Sequence, residues 1–263
     1  MLLPGGLIEK ENRYRQWSFK PVSGALEMAL GEVAQHSANT PQAVTRVLAL
    51  VLEQLGGQPV TEARAAGLCL GDRQFLMREL EQHLGNGGGW FHADCSGCGT
   101  CFDFQLQYAD LPVQEAGPTY PLARVQWQGR QICFRLPTGG DQERLVEIPP
   151  DSAQGWLLAE LVQQPGYMQD WDATMVQMVD EALEVVAPGI VTRIQAECPE
   201  CGGVNTVELD PYRVLSWKSE DLLREVHQLA SHYHWSEAEI LGLPRARRLR
   251  YLDLIDRGRG MMK

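Results

Sequence analysis

CSGCG at 95–99 and CPECG at 198–202 decide how this chain folds. Each sets two cysteines two residues apart and follows the second with glycine. The two-residue spacer lets both sulfurs converge on one ion, and the glycine permits the positive φ that turns the backbone back. Strand-like sequence lies on both sides of each knuckle: WFHAD and FDFQLQ around the first, IVTRIQAE and VNTVELD around the second. Two such hairpins facing each other complete a zinc ribbon with Cys95, Cys98, Cys198 and Cys201 as ligands. Four thiolates leave no position open for water, so the expected Zn2+ is structural.

The first knuckle carries a third cysteine, since it continues as CSGCGTC to Cys101. Aligning the two knuckles sets Cys101 opposite Val204, on the outgoing strand. Cys101 and His92, three residues before Cys95, are the alternative ligands. A redox dithiol would sit at a helix N-terminus that lowers its thiolate pKa, whereas these flanks are strand-like. Cys69 in GLCLGD and Cys133 in QICFRL read as buried core thiols.

The 99 residues between Cys98 and Cys198 are a long gap for one zinc finger. An internal duplication closes it. SFKPVSGALE (18–27) resembles CFRLPTGGDQE (133–143), pairing Phe19 with Phe134, Lys20 with Arg135, Ser23 with Thr138, Gly24 with Gly139 and, past one inserted residue, Glu27 with Glu143. Each copy then runs through helices to a knuckle. The expected fold is α+β: two helix-plus-small-sheet units with zinc-ribbon knuckles, 1–113 and 114–217, and a helical docking arm, 218–263. With approximate two-fold symmetry, such a fold can bring the knuckles together.

Within the first unit, periodicity predicts helix over 25–55 with a break at NTPQ (39–42), ended by GG at 56–57. Asp72 is the expected N-cap of a helix through RQFLMRELEQHL. In the second unit ARVQWQ and QICFRL flank GR as a hairpin. Helices follow at AQGWLLAELVQQ and DATMVQMVDEALEVV.

The arm carries the cleanest amphipathic signal. Leu222, Leu223, Val226, Leu229, Ala230 and Tyr233 form one apolar face, and Ser236 with Glu239 reads as a capping box opening a second, short helix. Pro244 opens a third. An amphipathic helix can dock in a partner's groove, and the candidate anchors are Leu223, Val226, Leu229, Tyr233 and Trp235, with Arg247 and Arg250 on the rim.

Charge limits the partners. The chain carries −11, and residues 218–263 hold nine Lys/Arg against seven Asp/Glu, which leaves 14 against 27, or −13, for the other 217 residues. Such a body repels phosphates, which argues against nucleic acid and anionic membranes. A zinc-ribbon nucleic-acid-binding or regulatory protein stays as the alternative, resting on the ribbon and on Arg245, Arg247, Arg248 and Arg250. No secretory signal opens the sequence and no apolar run spans a bilayer, so a cytoplasmic chain is expected. PTGGD (137–141) lacks the Walker lysine, and no GxSxG, HExxH or paired-carboxylate signature occurs. No catalytic residue, enzyme activity or small-molecule substrate is expected.

Lys20, Pro21, Gly24 and Glu27, then Leu68, Asp72, Arg73 and Leu76, then Cys95 and Cys98, form a series of motifs. Together they resemble the baseplate hub assembly proteins of contractile-tailed phages and their relatives in phage-tail-like contractile injection systems. The arm resembles short tail-gene products with an arginine-rich helix. The resemblance covers 4–113 well and 119–213 more weakly, and the second unit has no L-x-x-x-D-R equivalent between 144 and 197. It implies a non-enzymatic assembly role, with baseplate hub or spike proteins as partners. It also implies residence in the bacterial cytosol during assembly, as a chaperone or as a small baseplate component.

Overall fold

The computed structural model describes residues 1–164, 171–216 and 219–260, so the expected boundary at 217–218 lies outside the described residues. The chain opens with a hairpin that periodicity does not announce, β1 (Leu2–Glu9) and β2 (Asn12–Phe19). β1 buries the continuous run Leu3–Leu7 instead of alternate residues, which removes the two-residue period of a half-buried strand. Lys10 and Glu11 both adopt positive φ, as a two-residue hairpin loop of this hand requires.

Two helices follow, each begun by a side-chain cap. Ser23 accepts from the Leu26 N–H at the start of α1 (Gly24–Gln35), and Asn39 accepts from Gln42 N–H ahead of α2 (Thr40–Val51). The helix expected to reach 55 stops at Val51. Leu52 turns extended, and β3 (Leu52–Leu55) pairs with β2 through Trp17–Leu55 and Phe19–Leu52. Leu52 and Leu55 are buried in the strand and also fit the period of a helical stripe, so their hydrophobicity does not discriminate; the open edge of β2 does.

After α3 (Glu62–Ala66) comes α4 (Leu70–His83). Asp72 is not its N-cap, because the helix begins two residues earlier, after Cys69. Its carboxylate instead accepts the backbone N–H groups of Gly5 (2.7 Å) and Gly6 (2.6 Å), pinning β1 onto α4. Leu3, Leu7, Trp17, Val47, Leu48, Leu76 and Leu80 form the core of this half.

β4 (Gly88–Asp94) and β5 (Cys101–Gln107) make a regular hairpin, and β6 (Val113–Gln114) leads away from it. The second half repeats the order. β7 (Leu122–Trp127) and β8 (Arg130–Arg135) turn at Gln128–Gly129, again both at positive φ. Then come α5 (Gly139–Leu145), α6 (Pro150–Leu161) and α7 (Ala173–Val186), with Asp172 capping the last. Their core is built on Val125, Ile132, Phe134, Leu158, Leu161, Met175 and Val179. β9 (Gly189–Ile190) pairs with β6, tying the halves together, so a boundary at 113 falls inside a strand. β10 (Arg193–Glu197) and β11 (Val204–Glu208) form the second ribbon.

One detail recurs. Phe19 pairs with Leu52, the residue after α2; Phe134 bridges Val162, the residue after α6. The flanking bonds run in opposite senses: Lys20 N–H donates to Val51 O at 2.9 Å, whereas Gln163 N–H donates to Cys133 O at 2.9 Å.

The C-terminal region is a third small core. α8 (Ser219–Tyr233), α9 (Glu237–Leu241) and α10 (Arg245–Gly260) pack around Leu222, Val226, Leu229, Ile240 and Ile255. The capping box of Ser236 and Glu239 is present. No helix among the described residues is long and apolar enough to cross a membrane.

Candidate metal centre

The two ribbons converge at their tips. The Sγ atoms of Cys95, Cys98, Cys198 and Cys201 all lie within 4.8 Å of one another. Cys95 and Cys201 are 3.6 Å apart and Cys98 and Cys198 3.8 Å, each contact joining one half to the other. A tetrahedron with Zn–S bonds of about 2.3 Å has S···S edges of about 3.8 Å. A disulfide would need about 2.05 Å. The spacing is that of four thiolates around a metal ion, and the cysteines are unpaired.

Both knuckles are built alike. Gly99 N–H donates to Cys95 O at 2.8 Å and Cys95 N–H to Thr100 O at 3.0 Å; Gly202 N–H donates to Cys198 O and Cys198 N–H to Gly203 O, each at 2.9 Å. Gly99 (φ 74°) and Gly202 (φ 70°) take the left-handed turn that the spacing predicted. Behind the sulfurs Phe102, Ala196, Phe104 and Val207 pack into a small apolar cluster between the ribbons.

Electrostatics favour a cation here. N–H groups of Cys98 and Gly97 hold the Cys95 thiol down at about 6. The hydroxyl and N–H of Thr100 lower Cys98. The Gly203 N–H would lower Cys201 too, but the neighbouring Cys95 and Cys98 sulfurs outweigh it and push Cys201 up to about 12. The protein dipoles support some thiolates, and their mutual repulsion blocks the rest until a positive charge enters.

Asn205 is the residue that sequence reading missed. It is buried, and its Oδ1 accepts from Ser96 N–H (2.9 Å) and Ser96 Oγ (3.0 Å) across the site. Its Nδ2 donates to Gly203 O at 2.9 Å and lies 3.6 Å from Cys95 Sγ. One amide thus locks the two knuckles together and orients a ligand sulfur. Only its place four residues after Cys201 could have hinted at this, and the equivalent residue of the first knuckle is Phe102. Cys101 and His92 stay outside the cluster: Cys101 is exposed, and His92 pairs with Asp103 across the hairpin.

The remaining predicted residues hold the body together. Arg73 is buried and donates to Thr45 Oγ1 (2.9 Å), Ala65 O (3.1 Å) and Pro41 O (2.8 Å), and burial lowers its pKa to about 10. Glu27 is buried against Arg248 at 2.7 Å. Lys20 donates to Leu50 O at 2.6 Å, and Leu68 and Leu76 are core.

The arm does not present the expected apolar face. Val226 and Leu229 are buried, and Tyr233 and Trp235 stack together against Tyr251, all within the arm's own core. The face expected to receive a partner is filled by α9 and α10 and by α1 of the body, whose Met28 joins the same cluster. Leu223, Arg247 and Arg250 are exposed. Comparison with protein-family models, curated proteins and solved structures gives no match.

Proposed function

We propose that this chain is a non-enzymatic assembly protein of a contractile tail or injection system. In this reading one structural zinc ties two copies of a single ancestral unit into a rigid body that docks on hub or spike proteins. The observation that carries the reading is the four-sulfur cluster drawn equally from two ribbons about a hundred residues apart. Four thiolates complete a tetrahedron, so zinc there holds structure and has no vacancy for a substrate.

Duplication is supported by the shared element order, the Phe19–Leu52 and Phe134–Val162 pairings, and the matching knuckle hydrogen bonds. The resemblance supplies the setting. The residues that carry it, Gly24, Glu27, Asp72 and Arg73, are internal supports, so partner contact falls to the surface, with Leu223, Arg247 and Arg250 the exposed arm candidates. The nucleic-acid alternative loses ground, since Arg248 is buried between Glu27 and Glu225 and Arg245 faces Glu27 at 3.7 Å.

Two measurements test the proposal. Elemental analysis of protein purified without added metal should find one zinc per chain, and Cys198→Ser should lose nearly all of it. Co-expression with tagged hub and spike proteins of a contractile tail should retain the chain through purification. Retention unchanged in a triple Leu223→Asp, Arg247→Glu, Arg250→Glu variant would remove the arm from the interface, and no retention of the parent chain would refute the assembly role.

A further inference from the structure

The C-terminal hairpin repeats another part of the chain. TEARAAGLCLGDR (61–73) and SEAEILGLPRARR (236–248) align without a gap, with identical Glu, Ala, Gly, Leu and Arg and a hydroxyl residue at the start of each. The backbone bonds within the two hairpins agree. Thr61 and Ser236 cap five-residue helices, accepting from Arg64 N–H and Glu239 N–H. Gly67 N–H donates to Ala63 O and Gly242 N–H to Ala238 O, each at 3.0 Å. Arg73 N–H and Arg248 N–H then return to Cys69 O and Pro244 O.

The two hairpins also do the same thing. Cys69 bridges Thr138 and Pro244 bridges Ser23, both antiparallel. Each bridge sets the hairpin's arginine over a glycine one residue on, so that a Cβ at Gly139 would strike Arg73 and one at Gly24 would meet Arg248. Both guanidinium groups are fully buried. Arg248 binds Glu27 directly, and Arg73 reaches Glu143, the aligned residue, through Thr45 Oγ1. The hairpin missing from the second unit is therefore present at 236–248, gripping the loop of the first.

We propose that this grip exchanges between copies of the chain, the α9–α10 hairpin of one copy taking the Ser23–Glu27 loop of another. A second copy is the occupant the observations favour, because every copy carries both the loop and its matching hairpin. The grip is already a contact between units, as α3–α4 shows on the loop of the second unit. The arm has its own apolar core and meets the body along α1 at Ser23, Gly24, Glu27 and Met28, so it can leave without opening either large core. An emptied loop strands a buried carboxylate, which closes again on an arginine hairpin, its own or a neighbour's. Exchange recreates every contact and costs little beyond association.

Antiparallel bridge partners have Cα atoms about 4.5–5.5 Å apart, within the span of a disulfide. A Ser23→Cys copy is mixed at high concentration with a Pro244→Cys copy, zinc-loaded and mildly oxidised. Wild-type protein treated alike accounts for links through Cys101 or Cys133. The expected product is a covalent heterodimer that falls at least tenfold when the Pro244→Cys copy also carries Arg248→Glu, and returns when the Ser23→Cys copy carries Glu27→Arg. A native circular-dichroism spectrum and cooperative melting report that each variant is folded. Absence of the heterodimer while the Ser23→Cys/Pro244→Cys double variant closes within its own chain would overturn the exchange. Failure of the double variant to close would remove the contact itself, and a heterodimer indifferent to the charge changes would be random oxidation; either refutes the proposal.

Discussion

Asn205 and Asp141 show how much one side chain can decide. Asn205 touches both knuckles, so Asn205→Ala should remove the hydrogen bonds that orient Cys95 and leave the four sulfurs intact. Loss of an outer partner of this kind typically weakens metal affinity about 10–100-fold, and competition with a chromogenic zinc chelator measures it. Asp141 lies in the loop of the second unit. Burial pushes its carboxyl up, but Arg135 (2.5 and 2.8 Å), the Thr138 N–H and hydroxyl (2.8 Å each) and Arg144 (2.7 Å) outweigh burial and hold it well below the carboxylate range. A carboxyl lowered by folding contributes stability that is present above its unfolded pKa and is lost as pH falls toward the folded one. Asp141→Asn should therefore cost about 2–3 kcal/mol at pH 7, the range of hydrogen bonds to a charged group. In urea titrations that difference should shrink below about pH 4.

Elements are fixed by turns as much as by periods. Gly99 and Gly202 sit at positive φ, and a Cβ at Gly99 would meet nothing within 4 Å. The penalty of Gly99→Ala is thus conformational alone, about 1–2 kcal/mol for an L-residue in the left-handed region. With the proposed zinc held by this knuckle, titration should show this as a roughly tenfold weaker site, about 1.4 kcal/mol per decade. The opposite lesson comes from α2 and β3. Leu52 and Leu55 satisfy a helical stripe and a strand equally well, and pairing with β2 decides between them.

Across the whole molecule, the four-cysteine centre joins parts that already have cores of their own. The first half packs around Leu48 and Leu76 and the second around Phe134 and Val179, while the ribbon tips have only a small apolar cluster. Chelation should therefore open the ribbons without unfolding the units. Hydrogen exchange should accelerate at 88–107 and 193–208 and stay slow in α2 and α4, local opening being set by local packing. Equal acceleration throughout would mean that zinc holds the entire fold. Additional ties between the halves, the β6–β9 pair and Arg213 bonded to Glu81 at 2.6 Å while stacked on Phe91, keep them apposed.

Much of this was legible in the residues themselves. The cysteine spacing and its glycines named the four cysteines that converge, because two-residue spacers and positive-φ turns are local requirements that tertiary context does not alter. The Ser236 box and the β7–β8 hairpin were local in the same sense. What only the tertiary structure decided are pairings between distant groups. The β1–β2 hairpin was hidden because β1 is buried on both sides along Leu3–Leu7. Asp72 passed for a cap because the glycine N–H groups it binds lie more than sixty residues away. The arm's apolar stripe, amphipathic enough to suggest a partner, is covered by the chain's own α1, α9 and α10, since an amphipathic period states that a face must be buried and leaves open what buries it.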